Sequence, residues 1–521
     1  MAVFLFFSSL IQPTLPRSFT TNLLFLVFVN VVVKPLWVFG IDRTVQNTVG
    51  TEQYGTYFAV FNFSLLFYVI LDSGIASFNS RTLAQDPNLH GLYWHRLLKL
   101  KLLLVAVYAI ICVLGAFYLR YDFLQLHLLL CLAVCQILVS FIAYFRSCLQ
   151  AHHHFRADAC LSVLDRLFAI FVCTILLWQV VRGGTFNIIW FAYAQLAGYT
   201  LTAVIGYLLA MPQSPFLALY TNPQLQAQTQ ERGQEQEPHS PTNPAITVSV
   251  VHLIHHSAPF ALMSLLMTAY MRLDVVLLKT WLPSQEGARE AGIYAASFRL
   301  LDAVNMIAVL FSTLLLPIFA RQLAHQKIPR QLVRLSAQML YASTGAFAAL
   351  CVVFAQPIMS LLYWQATPYY EQVFVYVILG IIPISSVYVF GTLLTANGNL
   401  RLINVIAASG VVLNLTFNSL LIPTYKAQGA AMAALASQGF VALAFYFFSF
   451  KKILRKPPSF SYLLRCISYF ALCIGLSFAC KTIFANWQLA ALLATLLCIA
   501  LAFGIRLLNL NEMKNINKEN G

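Results

Sequence analysis

Apolar runs of membrane length dominate this sequence and constrain its fold most strongly. A helix of about 20 residues spans the hydrocarbon core of a bilayer, and fourteen runs close to that length follow one another along the chain. They are continuous rather than alternating in polarity, which favours helices over the strands of a barrel. The predicted spans are 19–40, 56–79, 97–119, 123–145, 159–181, 186–210, 250–279, 291–319, 333–356, 370–394, 400–421, 427–449, 460–480 and 487–508.

Composition also indicates that lipid surrounds most of the chain. Only 9% of the 521 residues are charged and 60% are hydrophobic, whereas soluble domains carry about 25% charged residues. This composition excludes the soluble enzyme classes, and we expect neither catalytic residues nor a cofactor or metal. The predicted fold class is an all-α polytopic membrane protein with about 14 transmembrane helices.

Lysine and arginine collect on one side of the predicted membrane. With the N-terminus placed in the cytoplasm, about 22 of them fall in inside segments and 7 in outside segments, as the positive-inside rule requires. The net charge of +15 is thereby explained by contact with anionic lipid, and nucleic acid is not an expected partner. Both termini are predicted to be cytoplasmic.

Two stretches about 240 residues apart, Thr48–Gln85 and Glu286–His325, share a pattern that indicates two similar halves. The matching residues are Gly55, Tyr57 and Ala59 in the first stretch and Gly292, Tyr294 and Ala296 in the second. The predicted divisions are an N-terminal cytoplasmic or interfacial segment (1–18), an N-lobe of six helices (19–210), a flexible Gln/Pro-rich cytoplasmic linker (211–249), a C-lobe of six helices (250–449), two additional helices (450–508) and a cytoplasmic tail (509–521).

Six ionisable residues attract attention because a charge at mid-membrane costs about 2.5–3.5 kcal/mol on insertion scales. They are Lys34, Asp72, Arg272, Asp274, Arg299 and Asp302. One interpretation is a polar cavity between the halves, in which the three cations hold an anion, since guanidinium groups suit phosphate oxygens. The alternative is structural. Arg299 and Asp302 would form an ion pair on one helix face, and the other two cations would extend to the membrane interface.

Asparagine residues within the span 400–421 suggest a second kind of site. Asn414 and Asn418 are four residues apart and therefore share a helix face. Their side-chain oxygens could coordinate a coupling cation, with Na⁺ or H⁺ as the candidate ion and Asp274 as the charged partner. The alternative is that these amides form hydrogen bonds between helices.

Two motifs, one in each half of the chain, suggest a family. The first comprises Val49-Gly50-x-Glu52-x-Tyr54-Gly55-x-Tyr57, then a helix with Asp72-x-Gly74 that ends at Arg81. The second is Ile422-Pro423-x-Tyr425-x-x-x-Gly429-Ala430-Ala431. Together with the helix count, they resemble the polysaccharide-biosynthesis flippases (Wzx type) of the multidrug/oligosaccharidyl-lipid/polysaccharide (MOP) exporter superfamily. The resemblance covers nearly the whole chain.

This resemblance implies a fold and a function. It implies two six-helix lobes around a central cavity, with two added helices, in the bacterial cytoplasmic (inner) membrane. The implied substrate is an undecaprenyl-pyrophosphate-linked oligosaccharide, which alternating access moves from the inner to the outer leaflet for O-antigen, capsule or exopolysaccharide synthesis. Expected partners are this substrate, membrane lipid and the polysaccharide polymerase machinery. A charged pyrophosphate cannot cross hydrocarbon unaided, because stripping its water costs many kcal/mol.

Two alternative functions remain open from the sequence. One is a cation-coupled multidrug or metabolite exporter of the same superfamily, against which the extra helix pair and the candidate cavity cations argue. The other is a membrane glycan polymerase or ligase, which would need a large outer loop with catalytic groups. The predicted outer loops are short, so this alternative is disfavoured.

Overall fold

A computed structural model describes residues 32–33, 35–72, 74–85, 90–152, 154–212, 250–455, 460–505 and 507–508. Helices and short connections make up these residues, and no strand occurs among them. The predicted terminal segments and the linker lie almost entirely outside the described residues. Two helices are interrupted near the N-terminus: α1 comprises Leu36–Asp42 and Arg43–Val49, and α2 comprises Thr51–Leu66, Tyr68–Asp72 and Ile75–Gln85.

The remaining helices follow in order along the chain. They are α3 (His90–Tyr118), α4 (Phe123–Ala151), α5 (Phe155–Val181), α6 (Ile188–Ala210), α7 (Val250–Trp281), α8 (Ser284–Ala324), α9 (Arg330–Val353, continued by Ala355–Leu362), α10 (Pro368–Leu379, Ile381–Ser386, Val387–Gly391 and Thr392–Ala396), α11 (400–425), α12 (427–454), α13 (Phe460–Ile483) and α14 (Trp487–Gly504).

Eleven helices in the described ranges are long and apolar enough to cross a membrane. One of them, Leu400–Leu454, contains both α11 and α12, because Lys426 interrupts it with a φ of 51°. The described part of α1 and the interrupted α2 fall outside that set of eleven. The prediction of an all-α membrane protein with about 14 helices is therefore confirmed.

The described chain forms two compact units. The first contains Pro35–Phe63 and the chain from Leu266 onward, and the second contains the chain from Ser64 to Leu265. The first unit thus combines α1 and the start of α2 with helices of the second half of the sequence. The predicted lobes, 19–210 and 250–449, differ from these units at that segment and at residues 250–265, and as divisions of the sequence they stay a prediction.

Side-chain caps and ring packing shape the second unit. The carboxylate of Asp122 accepts a hydrogen bond from Gln125 N at 2.8 Å, and the side-chain oxygen of Gln125 accepts one from Asp122 N at 3.3 Å, so a capping box begins α4. Asn187 caps α6 by accepting from Ile189 N. Trp94 of α3 then packs against Phe145 of α4, with ring centroids 5.9 Å apart.

Two glycines bring the repeated stretches into contact within the first unit. A Cβ atom at Gly55 would collide with the carbonyl oxygen of Ala288, and a Cβ atom at Gly292 would collide with that of Thr51. Each glycine therefore meets the residue four positions before the other, so the contact is nearly symmetric. Only glycine allows backbones to approach so closely, which explains why the repeat contains glycine at both positions.

Candidate functional site

Arg299 of α8 forms a closely bonded and buried charged group in the first unit. Its Nε lies 2.6 Å from Oδ2 of Asp42 and donates a hydrogen bond to the Tyr54 hydroxyl at 3.0 Å. That hydroxyl donates in turn to Oδ1 of Asp42 at 2.8 Å. The guanidinium also lies over the Phe58 ring, 4.8 Å from its centroid. This group, Arg299 with Asp42 and Tyr54, is called the Arg299 cluster.

Local structure explains how the Arg299 cluster assembles. Asp42 ends a seven-residue π-helical stretch, Leu36–Asp42, a conformation that frequently occurs at functional sites. Tyr54 precedes Gly55, so the close glycine contact brings its ring to α8. Asp42 is only 1% exposed and Arg299 14% exposed. The cluster is therefore a buried ion pair whose carboxylate also accepts a hydrogen bond from Tyr54.

Arg272 of α7 forms a second and looser charged group. Its Nη2 lies 3.3 Å from Oδ1 of Asp302, and its Nη1 donates to the Asn62 side-chain oxygen at 3.4 Å. The guanidinium lies over the Phe298 ring at 4.9 Å. The two charged side chains are 22% and 35% exposed. This group, Arg272 with Asp302 and Asn62, is called the Arg272 cluster.

These contacts correct one prediction. An ion pair between Arg299 and Asp302 on one face of α8 was an alternative from the sequence, and it is wrong. Each residue instead pairs with a residue of another helix, Arg299 with Asp42 and Asp302 with Arg272. Helix crossing brings these partners closer than the three-residue spacing does. The alternative that Arg272 extends to the membrane interface stays a prediction; in the structure Arg272 bonds to Asp302 and Asn62.

The predicted group of Asp274, Asn414 and Asn418 forms in the structure. Oδ1 of Asp274 accepts hydrogen bonds from the amides of Asn414 at 2.9 Å and Asn418 at 2.8 Å. The Tyr294 hydroxyl donates to its Oδ2 at 3.2 Å. All three predicted residues are buried. No basic side chain forms an ion pair with Asp274 in the part of the chain that the structure describes.

The second unit contains a charged pair of its own. Asp72 lies 3.8 Å from Nζ of Lys101, which is buried and also donates to Ser140 Oγ at 2.5 Å and to the Leu71 carbonyl at 3.2 Å. The carbonyl is available because α2 is interrupted just beyond it, where Gly74 has a φ of 82°. Lys101 thus satisfies a backbone group that an unbroken helix would satisfy itself.

Two residues of these charged groups, Asp42 and Lys101, are not among the site residues predicted from the sequence. Asp42 follows the end of the predicted span 19–40 by two residues, so it falls in a predicted loop. Lys101 lies near the start of the predicted span 97–119, where a lysine normally reaches the membrane interface. An acid directly beyond an apolar run, and a lysine inside the first turns of one, are the signals that could have identified them. The predicted cavity residue Lys34 lies outside the described residues.

Comparison with known proteins now identifies the family. The profile of the family described as polysaccharide biosynthesis protein matches residues 19–323, which is more than half of the chain. The chain belongs to this family. The resemblance predicted from the sequence motifs is therefore confirmed. No curated protein sequence matches the chain.

Solved structures show that the fold of this member of the polysaccharide biosynthesis family is similar to those of known membrane transporters. The lipid II flippase MurJ in an inward closed conformation aligns with a TM-score of 0.64 at 12% identity, covering 94% of this chain and 98% of that one. An inward-facing multidrug resistance MATE transporter aligns at 0.60 and 13% identity, with 87% and 98% covered. A MOP superfamily transporter from Pyrococcus furiosus aligns at 0.55 and 13%, with 84% and 95% covered.

Proposed function

We propose that the protein is a flippase for an undecaprenyl-pyrophosphate-linked oligosaccharide. It would carry this substrate from the inner to the outer leaflet of the bacterial cytoplasmic membrane by alternating access, without a catalytic step. The exported glycan would then serve O-antigen, capsule or exopolysaccharide synthesis and meet the polymerase machinery. Membership of the polysaccharide biosynthesis family and the MOP fold support this proposal. Both termini are proposed to be cytoplasmic, as the distribution of basic residues favours.

The observation that carries the proposal is the geometry of the Arg272 cluster. Its hydrogen bonds are 3.3–3.5 Å long, and both charged side chains are partly exposed. A pyrophosphate oxygen can therefore replace Asp302 at low cost, because loosely held and solvated ion pairs contribute little free energy. A bidentate guanidinium contact with phosphate is stronger than the contact it replaces. In this proposal Arg272 binds the pyrophosphate and Asp302 holds the arginine in place between cycles.

The Arg299 cluster has a different proposed role. Its arginine is enclosed by Asp42, Tyr54 and Phe58 and has little exposed surface. We therefore assign Arg299 to holding α1 and α2 against α8 in this conformation. The cations predicted to line one cavity thus receive separate proposed roles. Arg272 contacts the substrate, and Arg299 stabilises the close approach of α2 and α8 at Gly55. Lys34 stays a predicted contributor, as does Asp72, which the structure pairs with Lys101.

The Asp274 group is proposed to bind the coupling ion. A buried carboxylate without a cationic partner is costly, and the side-chain oxygen of Asn418 is buried without a hydrogen-bond partner. A 180° turn of either amide would point its oxygen at a cation beside Asp274. After such a turn, carboxylate and amide oxygens would be available to Na⁺, and H⁺ is the second candidate, since intramembrane acids commonly bind coupling ions in transporters.

Deletion of the gene tests the proposed substrate. A strain without this protein should accumulate undecaprenyl-linked glycan on the cytoplasmic side of its membrane, and expression of the intact chain should clear it. Lipid extracts, with leaflet accessibility to a membrane-impermeant glycan-modifying enzyme, provide the readout. Unchanged lipid-linked glycans together with increased drug sensitivity would instead support the multidrug exporter, which the fold also permits.

A further inference from the structure

A cavity of about 830 Å³ lies among the helices of the first unit, and no residue of either arginine cluster lines it. It is bounded by α9, α10, α12 and α13, with Leu507 beyond α14. Most of its lining is apolar or aromatic. The basic lining residues are Arg330 and Arg334 at the start of α9 and Arg465 near the start of α13. This feature is called the α9–α13 cavity.

One stripe of α9 runs along the α9–α13 cavity. The lining residues on this helix include Arg330, Arg334, Ala337, Tyr341 and Gly345, which are spaced by three or four residues and so share one face. The first and last lie about 22 Å apart along the axis at 1.5 Å per residue. That length is about half the full thickness of a bilayer, headgroups included. The stripe is therefore charged at headgroup level and apolar towards the bilayer centre.

Aromatic rings form the facing wall. Phe390 of α10 packs edge-on against Tyr446 of α12, with centroids 5.2 Å apart, and Tyr446 lies 4.8 Å from Phe450. At the rim, Leu443 of α12 and Ile467 of α13 are 70% and 68% exposed. In a membrane protein these exposed apolar side chains face lipid. The cavity therefore opens to the bilayer between α12 and α13.

We propose that the α9–α13 cavity binds one anionic glycerophospholipid from the leaflet that the positive-inside rule predicts to be cytoplasmic. Its phosphate would contact Arg330, Arg334 and Arg465, and an acyl chain would follow α9 towards Gly345. Basic pockets between membrane helices on the cytoplasmic side bind anionic headgroups in this way. Nε of Arg330 donates to the Leu454 carbonyl at 3.0 Å, which fixes the guanidinium while its terminal nitrogens can meet phosphate oxygens.

The occupant follows from this charge and shape. Three arginines at one end select an anionic headgroup over a zwitterionic one by electrostatic attraction. The apolar remainder, open to lipid, requires a hydrocarbon chain attached to that headgroup, so free phosphate lacks most of the contacts. The lining contains no residue of the Arg272 or Arg299 clusters. This site is therefore independent of the proposed transport function.

Native mass spectrometry of the purified full chain tests the proposal. The protein in detergent is titrated with phosphatidylglycerol, phosphatidylcholine and undecaprenyl phosphate, and bound lipids are counted. Phosphatidylglycerol should bind with one saturable stoichiometry and in preference to the other two. The paired variant Arg330→Gln/Arg465→Gln should weaken its affinity about thirty-fold, since each basic residue near an anionic lipid contributes about one kcal/mol.

Two further variants test whether lipid binding depends on this cavity. The first controls for surface charge, and the second alters the apolar end of the cavity. Lys451→Gln/Lys452→Gln removes the same charge from exposed residues outside the lining and should leave phosphatidylglycerol affinity unchanged. Gly345→Leu should shorten the preferred acyl chain, because a Cβ there would project towards the Tyr469 ring, 3.7 Å away at the apolar end.

Several outcomes would overturn the proposal. Equal binding of phosphatidylcholine would show that the cavity does not select an anionic headgroup. Equal weakening in the Lys451/Lys452 control would show that overall positive charge, rather than the lining arginines, attracts the lipid. Displacement of phosphatidylglycerol by undecaprenyl phosphate at matched concentration would assign the cavity to a polyprenyl lipid. Arg465→Gln alone serves if the paired variant does not fold, because the structure shows no side-chain bond of Arg465 among the described residues.

Discussion

The Arg299 and Arg272 clusters contain the same chemical parts and differ in how tightly these are held. Each has one arginine, one aspartate and an aromatic ring beneath the guanidinium. In the Arg299 cluster the ion pair is 2.6 Å long and its acid is 1% exposed. In the Arg272 cluster the pair is 3.3 Å long and its acid is 35% exposed. Removing one partner of a buried pair costs about 3–5 kcal/mol, whereas exposed pairs contribute about 0–1 kcal/mol.

This difference shows that an intramembrane arginine is not by itself a substrate site. Arg299 is already satisfied by the protein, and a ligand would have to displace a buried carboxylate to reach it. Arg272 is held weakly enough that a doubly charged pyrophosphate can compete for it. The sequence places both residues within 27 positions of each other, so only the partners on other helices distinguish their roles.

The largest expected effect follows loss of Arg299. Arg299→Gln leaves Asp42 charged and buried, so the protein should lose about 3–5 kcal/mol of stability. The measurement is thermal unfolding of the purified protein in detergent. The double variant Asp42→Asn/Arg299→Gln removes both charges and should recover most of the loss. If Arg299→Gln unfolds at the wild-type temperature, the assignment of this cluster to structure is wrong.

The glycine contact provides the next largest effect. Gly55→Ala places a Cβ against the backbone of Ala288, so separation of α2 from α8 should cost about 1–3 kcal/mol. The variant should also increase the exposure of the Arg299 side chain. The position of Arg272 on α7 should not change. The matched control is Gly439→Ala, which has no atom within 4 Å of the added Cβ and should gain up to about 1 kcal/mol from helix propensity. Equal melting temperatures for the two variants would contradict the close contact.

A smaller effect is expected for the two acids. Asp302→Asn removes the competitor for Arg272 and should change stability by less than about 1 kcal/mol, while pyrophosphate-lipid affinity rises up to about fivefold. Asp42→Asn should lower stability without raising that affinity, because Arg299 stays enclosed. The measurement is a titration of both variants with undecaprenyl pyrophosphate. An affinity gain in Asp42→Asn alone would contradict these assignments, because it would indicate that Arg299 binds the pyrophosphate and Arg272 does not.

Ion coupling gives a further prediction that is independent of both arginines. If the Asp274 group binds Na⁺, saturating Na⁺ should raise the melting temperature of the wild type, since a ligand that binds only the folded state stabilises it. Asp274→Asn should abolish that increase, and K⁺ at equal ionic strength is the control. Stabilisation that persists in Asp274→Asn would place the ion elsewhere, and a response to pH alone would favour H⁺.

The membrane fold was predictable from the sequence because hydrocarbon thickness fixes helix length and composition. The grouping of Asp274 with Asn414 and Asn418 was also predictable. A carboxylate within the membrane requires hydrogen-bond donors, and two amides on one helix face can supply them. The partners of Arg299 and Arg272 were not, because they depend on how α1, α7 and α8 cross. Lys101 was missed because a lysine near a span end normally reaches the interface, whereas here a broken α2 offers it a carbonyl.

Substrate binding by Arg272→Gln tests the central claim most directly. Affinity for undecaprenyl-pyrophosphate-linked glycan is measured on the purified variant beside wild type and Arg289→Gln, an exposed arginine near the start of α8. The account predicts a loss of about tenfold or more for Arg272→Gln, from lost charge-assisted hydrogen bonds of about 1.5–3 kcal/mol. It also predicts near-wild-type melting of this variant and no affinity change in the control. Unchanged affinity in Arg272→Gln, with a correctly folded protein, would contradict it.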